Sequence, residues 1–221
     1  VKKKIQKPTS ILVTAGPTVE AIDPVRFISN RSTGEMGYAV ARAASKRGFR
    51  VVLISGPVCL APLAGVETLK VETTAEMMGK VNEKIQGMDC IVMTAAVCDF
   101  RPGQIKKEKI KKSGKLTLEL IKTPDILKGI GKREGLVKVG FALETERRSD
   151  PIKKLKEKAM DLLVMNIKDA KNDPFGKGAK NFILLGKNNF FRTIKKTSKE
   201  NCAGIILDEI KRLLDEKKRS K

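Results

Sequence analysis

The hydrophobic positions of the chain gather in short unbroken runs set between polar, glycine-containing segments. Ile11-Leu12-Val13, Val51-Val52-Leu53-Ile54 and Cys90-Ile91-Val92-Met93 show no polar alternation, as expected of strands whose two faces are both covered by helices in a parallel sheet. From residue 10 the pattern predicts a strand at 10–15, a helix at 36–47 and a strand at 50–55. A short strand at 66–71, a helix at 74–86 and a strand at 90–94 follow. The second half is less regular. It reads as a basic segment 104–115, a strand 116–121, a short helix 124–132, a strand 137–142, a helix near 150–160 and a strand 162–166. After a loop come strands at 181–186 and 190–195, joined through Gly186-Lys187-Asn188-Asn189 as a hairpin, and a C-terminal helix at 198–218. The expected fold class is α/β: a Rossmann-like, doubly wound, mainly parallel sheet with helices on both faces and a late β-hairpin extension. Residues 1–9 read as a basic linker or tail of something longer, and 10–221 as a single domain without repeats.

The first strand opens into Asp23-Pro24-Val25-Arg26-Phe27-Ile28-Ser29-Asn30-Arg31-Ser32-Thr33-Gly34-Glu35-Met36-Gly37, rich in amides, hydroxyls and glycine. It then enters a helix of small residues. A strand, such a loop and a helix N-terminus in succession present backbone N–H groups to an anion. Gly34 and Gly37 lie roughly twenty residues beyond the strand rather than in its first turn, so this is no dinucleotide fingerprint. Phosphate chemistry of another kind is expected.

Composition narrows the chemistry. The 221 residues include 46 Lys and Arg against 25 Asp and Glu, a net charge of +21, which favours phosphorylated ligands. The complete absence of histidine excludes Ser-His-Asp and Cys-His catalysis and leaves acid–base work to Lys, Asp, Glu and backbone. Cys59, Cys90, Cys98 and Cys202 form no C-x-x-C pair, which argues against a zinc site or a redox motif. They are read as reduced thiols, and a cytoplasmic location is the expectation. No apolar stretch approaches the length of a membrane span.

Three further clusters follow predicted strands, where open α/β sheets bind ligands. In Thr94-Ala95-Ala96-Val97-Cys98-Asp99 the small residues let a ligand approach the backbone, and Asp99 is the first carboxylate, suited equally to capping a turn. Lys106-Lys107-Glu108-Lys109-Ile110-Lys111-Lys112 concentrates lysine ahead of Ser113-Gly114 and reads as a mobile loop, though a solvated charge run has the same composition. The third is Gly140-Phe141-Ala142-Leu143-Glu144-Thr145, with Lys154 and Lys158 four apart on the following helix, able to grip a polyphosphate between them. Phe141 fits a base stack or a core position.

Five segments in order, Asp23 to Gly37, Ala95 to Asp99, Glu108-Lys109-Ile110-Lys111-Lys112, Pro124-Asp125-Ile126-Leu127 and Gly140 to Thr145, closely resemble one family. It is the CTP-dependent phosphopantothenate-cysteine ligase of bacterial coenzyme A synthesis, in many bacteria the C-terminal domain of a bifunctional flavoprotein. The resemblance runs from about Ile11 to Asp215. Thr33 stands where the family usually has a second Ser, and Leu143 where Ala is frequent; neither change removes a functional group.

The resemblance implies a two-step ligation. The carboxylate of 4'-phosphopantothenate attacks the α-phosphate of CTP to give an acyl-cytidylate and pyrophosphate, and the amine of L-cysteine then displaces CMP. Ala95, Asp99, Lys109, Pro124, Asp125, Ile126, Leu127, Phe141, Lys154 and Lys158 match CTP-contacting positions, with Mg2+ carried by the triphosphate and no protein metal site. Arg26, Asn30 and Ala96 match positions that hold the phosphopantothenoyl part or its acyl-cytidylate. Asn30 and Lys109 are the catalytic candidates: the first offers a donor–acceptor amide to the mixed anhydride, the second neutralises the reacting phosphate from a closing loop. A homodimer is implied, with the late hairpin as a possible pairing edge, and fusion to or partnership with a flavin-dependent phosphopantothenoylcysteine decarboxylase. No specific nucleic acid or membrane partner is expected.

Two other classes fit the residues less well. A nicotinamide oxidoreductase would want an acidic residue after Val51 to Ile54, where Ser55-Gly56-Pro57 stands, and Tyr38 has Arg42 rather than lysine four residues on. A nucleic-acid-binding module would explain the charge but pairs basic residues with stacking aromatics or a reading helix, which the sequence does not display.

Overall fold

The structure, a computed structural model, describes residues 8–112, 114–144, 150–167 and 178–219. Most of the expected N-terminal tail, Ser113, Thr145 and the loop after residue 167 lie outside the described residues.

Eight strands form the central sheet. Six run parallel, and the first five in chain order are β1 (Ser10–Ala15), β4 (Arg50–Ser55), β5 (Glu67–Lys70), β6 (Cys90–Met93) and β9 (Val137–Glu144), with the unbroken apolar runs forming β1, β4 and β6. β10 (Leu162–Ile167) runs parallel to β9, and β11 (Lys180–Gly186) with β12 (Phe191–Thr197) adds the antiparallel hairpin at the edge. The spatial order is β12-β11-β10-β9-β6-β1-β4-β5. Because β4 lies on one side of β1 and β6 on the other, the winding reverses between β1 and β6. The crevice beyond their carboxyl ends is where such a sheet takes a ligand.

Helices cover both faces. α1 (Glu35–Lys46) and α5 (Lys199–Arg219) pack on one core, whose sheet face includes Ile11, Val13, Leu53, Val92, Val139 and Leu184. α2 (Thr74–Lys84), α3 (Ile126–Ile130) and α4 (Pro151–Glu157) cover the other, which holds Leu12, Ile54, Ile91, Leu127, Leu155 and Met160. In α5, Ala203, Ile206, Leu207, Ile210, Leu213 and Leu214 recur at helical spacing and are buried, each large side chain contributing about 2 kcal/mol by leaving water. α1 is built from small residues and comes so close to the sheet that a Cβ on Gly37 would sit 2.5 Å from both Ala15 Cβ and Thr94 Oγ1.

Two small ladders stand outside the main sheet and outside the sequence-based expectation: β2 (Val19–Ala21) with β3 (Phe27–Ser29), and β7 (Phe100–Pro102) with β8 (Leu120–Lys122). The strand expected at 116–121 is therefore only Leu120–Lys122, offset toward its C-terminal end. Leu116, Leu118 and Leu120 do alternate with polar residues, but their side chains are exposed, so the alternation covers no core in this chain. The short helices are also tighter than expected. α3 begins at the Asp125 cap, which accepts from Lys128 N, and α4 at the Asp150 cap with Pro151 in its first turn.

On the face that carries α3 and α4, Lys138 is buried. Its ammonium donates to the carbonyls of Gly131, at 2.6 Å, and Lys158, at 2.7 Å. Those carbonyls end α3 and α4, so one side chain ties both helices to β9. Burial lowers the pKa of this amine, against the pull of the nearby Asp161 charge. Asp161, itself buried, accepts from Lys138 N, Lys187 Nζ and Lys217 Nζ.

Candidate active site

The loops that leave β1 and β6 are laced together at the crevice. Ala96 N donates to Gly16 O at 2.9 Å, Thr18 N to Ala96 O at 3.3 Å, and Thr94 Oγ1 to Thr14 O at 2.5 Å. Asn30 closes the lacing from above: its Nδ2 donates to Ala96 O at 2.9 Å and to Val97 O at 3.1 Å. Both partners are carbonyl oxygens, so the amide nitrogen must face them. Its two protons are thereby engaged, which leaves Oδ1 as the remaining valence, an acceptor. The donor–acceptor role expected for Asn30 thus narrows to acceptance. Asn30 and Ala96, expected to serve one ligand, are in direct contact.

Gly34 enters α1 in the left-handed region at φ 77°, where a side chain would be strained, and no side chain caps the helix. The helix entrance keeps its dipole and its first N–H groups for another partner. Glu35, in that first turn, is ion-paired with Lys199 of α5.

Cys98 and Asp99 anchor the next segment. Cys98 N donates to Thr18 Oγ1 at 2.8 Å; Thr123 Oγ1 donates to Cys98 O at 2.5 Å and Thr123 N to Asp99 O at 3.0 Å. These bonds bring Pro124 and Asp125 to the loop that carries Ala95 and the exposed Asp99. Thr123 carried no role in the sequence reading. A single threonine beside a proline gives no sign of a partner more than twenty residues away. The Cys98 thiol is buried, which raises its pKa and keeps it a structural hydrophobe.

Ile126 and Leu127 are buried in the core, so any nucleotide contact from them is through backbone. Phe141 is half-buried against the α1 and α5 core, a position compatible with packing and with stacking at its open edge. Behind it, a Cβ at Gly140 would run into Met160 Sδ, which explains the glycine in that motif. Lys154 and Lys158 are one turn apart, with Lys158 N bonded to Lys154 O. Lys158 is the C-cap of α4, and its ammonium lies 2.9 Å from the Asp125 carboxylate. Burial resists ionisation of Asp125, but the bonds from Lys158 and from Lys128 N hold its pKa below the ordinary value.

Arg26 is joined to Ile110, the residue after Lys109, directly and through Asp23. Asp23, with its side chain fully buried, accepts from Val25 N and Arg26 N at 2.8 Å each, from Arg26 Nη1 at 2.6 Å and from Ile110 N at 3.1 Å. The Arg26 guanidinium also reaches Ile110 O at 3.3 Å, and Lys106 N donates to Ile22 O at 3.0 Å. The lysine segment expected to be mobile is therefore fastened at Lys106 and Ile110, with the exposed Lys109 between them. Asp23 belongs to the first sequence motif, where no role is evident from sequence. The Asp-Pro pair signals a turn, but its bond partner lies 87 residues away.

Among the described residues no group of three or more His, Cys, Asp and Glu side chains could hold a metal ion. Mg2+ that arrives with a triphosphate keeps phosphate oxygens and waters and needs one or two carboxylates; Asp99, in the loop after β6, is exposed.

Residues 6–214 match the family described as the DNA/pantothenate metabolism flavoprotein C-terminal domain. The chain is 43% identical over 204 residues to the coenzyme A biosynthesis bifunctional protein CoaBC of Bacillus subtilis, covering 90% of this chain and 50% of that protein. With its Escherichia coli counterpart the identity is 37% over 220 residues, 96% of this chain and 54% of the relative. The chain thus spans about half the length of the curated relatives it matches. A crystal structure of the C-terminal domain of CoaBC superposes with a TM-score of 0.80 at 35% identity, covering 94% of this chain and 96% of that one. A Cab2 variant solved with phosphopantothenate-cysteine shares the fold at a TM-score of 0.77 and 17% identity, over 96% of this chain and 88% of its own. The chain belongs to the DNA/pantothenate metabolism flavoprotein C-terminal domain family.

Proposed function

We propose that the domain ligates L-cysteine to 4'-phosphopantothenate with CTP through an acyl-cytidylate, a step of coenzyme A synthesis. The observation that carries this reading is the Asn30 amide bound to the Ala96 and Val97 carbonyls at the winding reversal. It joins the two loops that the ligase resemblance assigns to the acyl group, in a chain related to CoaBC proteins.

In the first step a carboxylate oxygen of phosphopantothenate forms a bond to the α-phosphorus of CTP, and the bond to the β-phosphate oxygen breaks to release pyrophosphate. This step calls for cations around phosphate rather than for a histidine base. Lys109 neutralises the reacting phosphate; Lys154 and Lys158 serve the outer ones, and the exposed Asp99 carboxylate would be the protein group to receive Mg2+ carried by the triphosphate. In the second step the cysteine nitrogen attacks the acyl carbon, the acyl–oxygen bond breaks with its electrons leaving on CMP, and the amine proton is released. The Asn30 Oδ1 acceptor orients an N–H of the attacking amine. Cytosine selection falls to backbone groups at the Pro124 to Leu127 turn. A homodimer belongs to the same reading, with β12 as an edge strand of the sheet, and so does work in concert with a flavin-dependent decarboxylase.

The test is direct. Purified protein with CTP, Mg2+ and 4'-phosphopantothenate is expected to release pyrophosphate, and cysteine added afterwards to give CMP and the amide. Equal activity with ATP overturns the nucleotide assignment; no nucleotide-dependent pyrophosphate overturns the function.

A further inference from the structure

Besides the bond from Lys106 N to Ile22 O, two peptide groups of the lysine segment, those on either side of Ile110, are gripped from outside. Ile110 offers its N–H to the Asp23 carboxylate and its carbonyl to the Arg26 fork, while Arg26 and Asp23 are themselves joined at 2.6 Å. The Ile110 N–H belongs to the peptide that links it to Lys109. Gripping both peptides around Ile110 fixes the backbone from which the Lys109 side chain departs. A lysine stem has four rotatable carbons, and its ammonium finds a phosphate reproducibly only when that starting point is held. The chain around it is otherwise exposed and rich in like charges, which push it outward rather than over the crevice.

We propose that Asp23 is a positioning residue for the reaction: together with Arg26 it clamps Ile110 and so sets Lys109 on the reacting phosphate. The inference rests on the ligase reading for the chemistry, and on geometry alone for the clamp. Asp23 is suited to it because it is charged and completely enclosed. Burial works against the charge, yet the N–H groups of Val25, Ile110 and Arg26 and the Arg26 guanidinium hold its pKa at about 2. The clamp therefore stays closed throughout the neutral range. It also gives Arg26 a second task beside the acyl-group contact implied by the resemblance, since the clamp already engages its guanidinium.

The experiment is a double-mutant cycle with a structural arm. Asp23→Asn keeps the volume but removes the charge that receives Arg26 and Ile110 N. Pyrophosphate release is expected to fall about 10- to 100-fold in kcat, with little change in the KM for phosphopantothenate. In a Lys109→Gln background the same substitution is expected to cost no more than about 2-fold, because a side chain already removed cannot be misplaced. In a Lys112→Gln background the full loss should persist. Hydrogen exchange should accelerate across residues 106–112 while β1 and β6 keep their protection. Equal losses in the native and Lys109→Gln backgrounds, or unchanged exchange in the segment, would overturn the proposal. Should Asp23→Asn also lose protection in β1, Arg26→Lys repeats the exchange arm, since it leaves Asp23 with its backbone partners and removes the guanidinium fork that joins Asp23 to the Ile110 carbonyl. A native protein without CTP-dependent pyrophosphate release would sink the ligase reading alone, because the exchange arm still judges the clamp.

Discussion

The Lys158 ammonium and the Asp125 carboxylate are paired at 2.9 Å, each about one-third exposed. A side chain assigned to the outer phosphates is thus held by the cap of α3 before any nucleotide arrives, and an incoming triphosphate has to share it. A pair this exposed contributes under about 1 kcal/mol. Lys158→Gln is therefore expected to leave the melting temperature nearly unchanged and to raise the KM for CTP several-fold. Asp125→Ala also loses the α3 cap and should cost about 1 kcal/mol. Chemical denaturation and CTP titration of both variants check this; an unaltered KM in Lys158→Gln removes that lysine from the nucleotide site.

Asn30→Asp is the sharpest substitution in the crevice. It keeps the size but turns two donated protons into a carboxylate oxygen facing the Ala96 and Val97 carbonyls, where acceptors repel. Amide formation is expected to collapse while CTP-dependent pyrophosphate release partly persists, so acyl-cytidylate accumulates. Mass spectrometry of the reaction without and with cysteine reads this out. If Asn30 only braces the loops, the cost is about 1 kcal/mol of stability with near-normal amide yield.

Lys109→Gln is expected to lower turnover about 10²- to 10³-fold under the proposed mechanism, in which its charge neutralises the reacting phosphate. Lys112→Gln, beyond the clamp at Ile110, should cost far less. Similar losses from both would describe a diffuse basic segment. Neither change should shift the thermal midpoint appreciably, since both side chains are exposed.

Two glycine-to-alanine changes should move stability in opposite directions. At Gly37 the new methyl meets Ala15 and Thr94 at 2.5 Å and Thr14 O at 3.0 Å, and α1 must lift from the sheet at a cost of about 1–3 kcal/mol. At Gly79, inside α2, a Cβ meets nothing within 4 Å, so alanine should stabilise by about 0.5–1 kcal/mol through helix propensity. Denaturant midpoints decide both.

Acid stability should follow two carboxylates. Asp23 is held at about 2 despite its burial. Asp161 is drawn below its ordinary value, against the effect of burial, by Lys187, Lys217 and Lys138 N. Both are easier to protonate in the unfolded chain, so their stabilisation is complete above an ordinary aspartate pKa of about 4; that of Asp23 is lost as pH falls toward about 2, and that of Asp161 as pH falls through its lowered pKa. Melting temperatures between neutral pH and pH 5 should be flat on their account, with the decline below. Asp161→Asn should flatten part of that decline.

Much of the architecture was legible because it follows from burial. Val51 to Ile54 and Cys90 to Met93 are apolar on both faces and became central parallel strands, and the Phe182 to Ile194 region became the edge hairpin. What escaped depends on partners distant in the chain. The β2–β3 and β7–β8 ladders have three residues per strand and sit outside the core sheet, so periodicity had almost nothing to register. Three of the five motifs mark segments at or just beyond the carboxyl ends of β1, β6 and β9, yet the motifs could not reveal that Asp23 holds Ile110, that Thr123 holds Cys98, or that Asn30 spends its protons on carbonyls. Those bonds span 87, 25 and 66 residues and are decided by how the loops close.

The Ala96 peptide is engaged on both sides: its carbonyl receives Thr18 N and the Asn30 amide, and its N–H reaches Gly16 O. The floor of the crevice is thus written in main-chain atoms, which every amino acid except proline can supply. Substitutions of small residues there change how much room a ligand has without erasing the pattern of donors and acceptors, so drift in this lineage can retune fit while the wiring persists. The same construction makes the site intolerant of anything that redirects the chain itself, proline at Ala96 above all, since it withdraws the proton that the Ala96 peptide gives to Gly16 O.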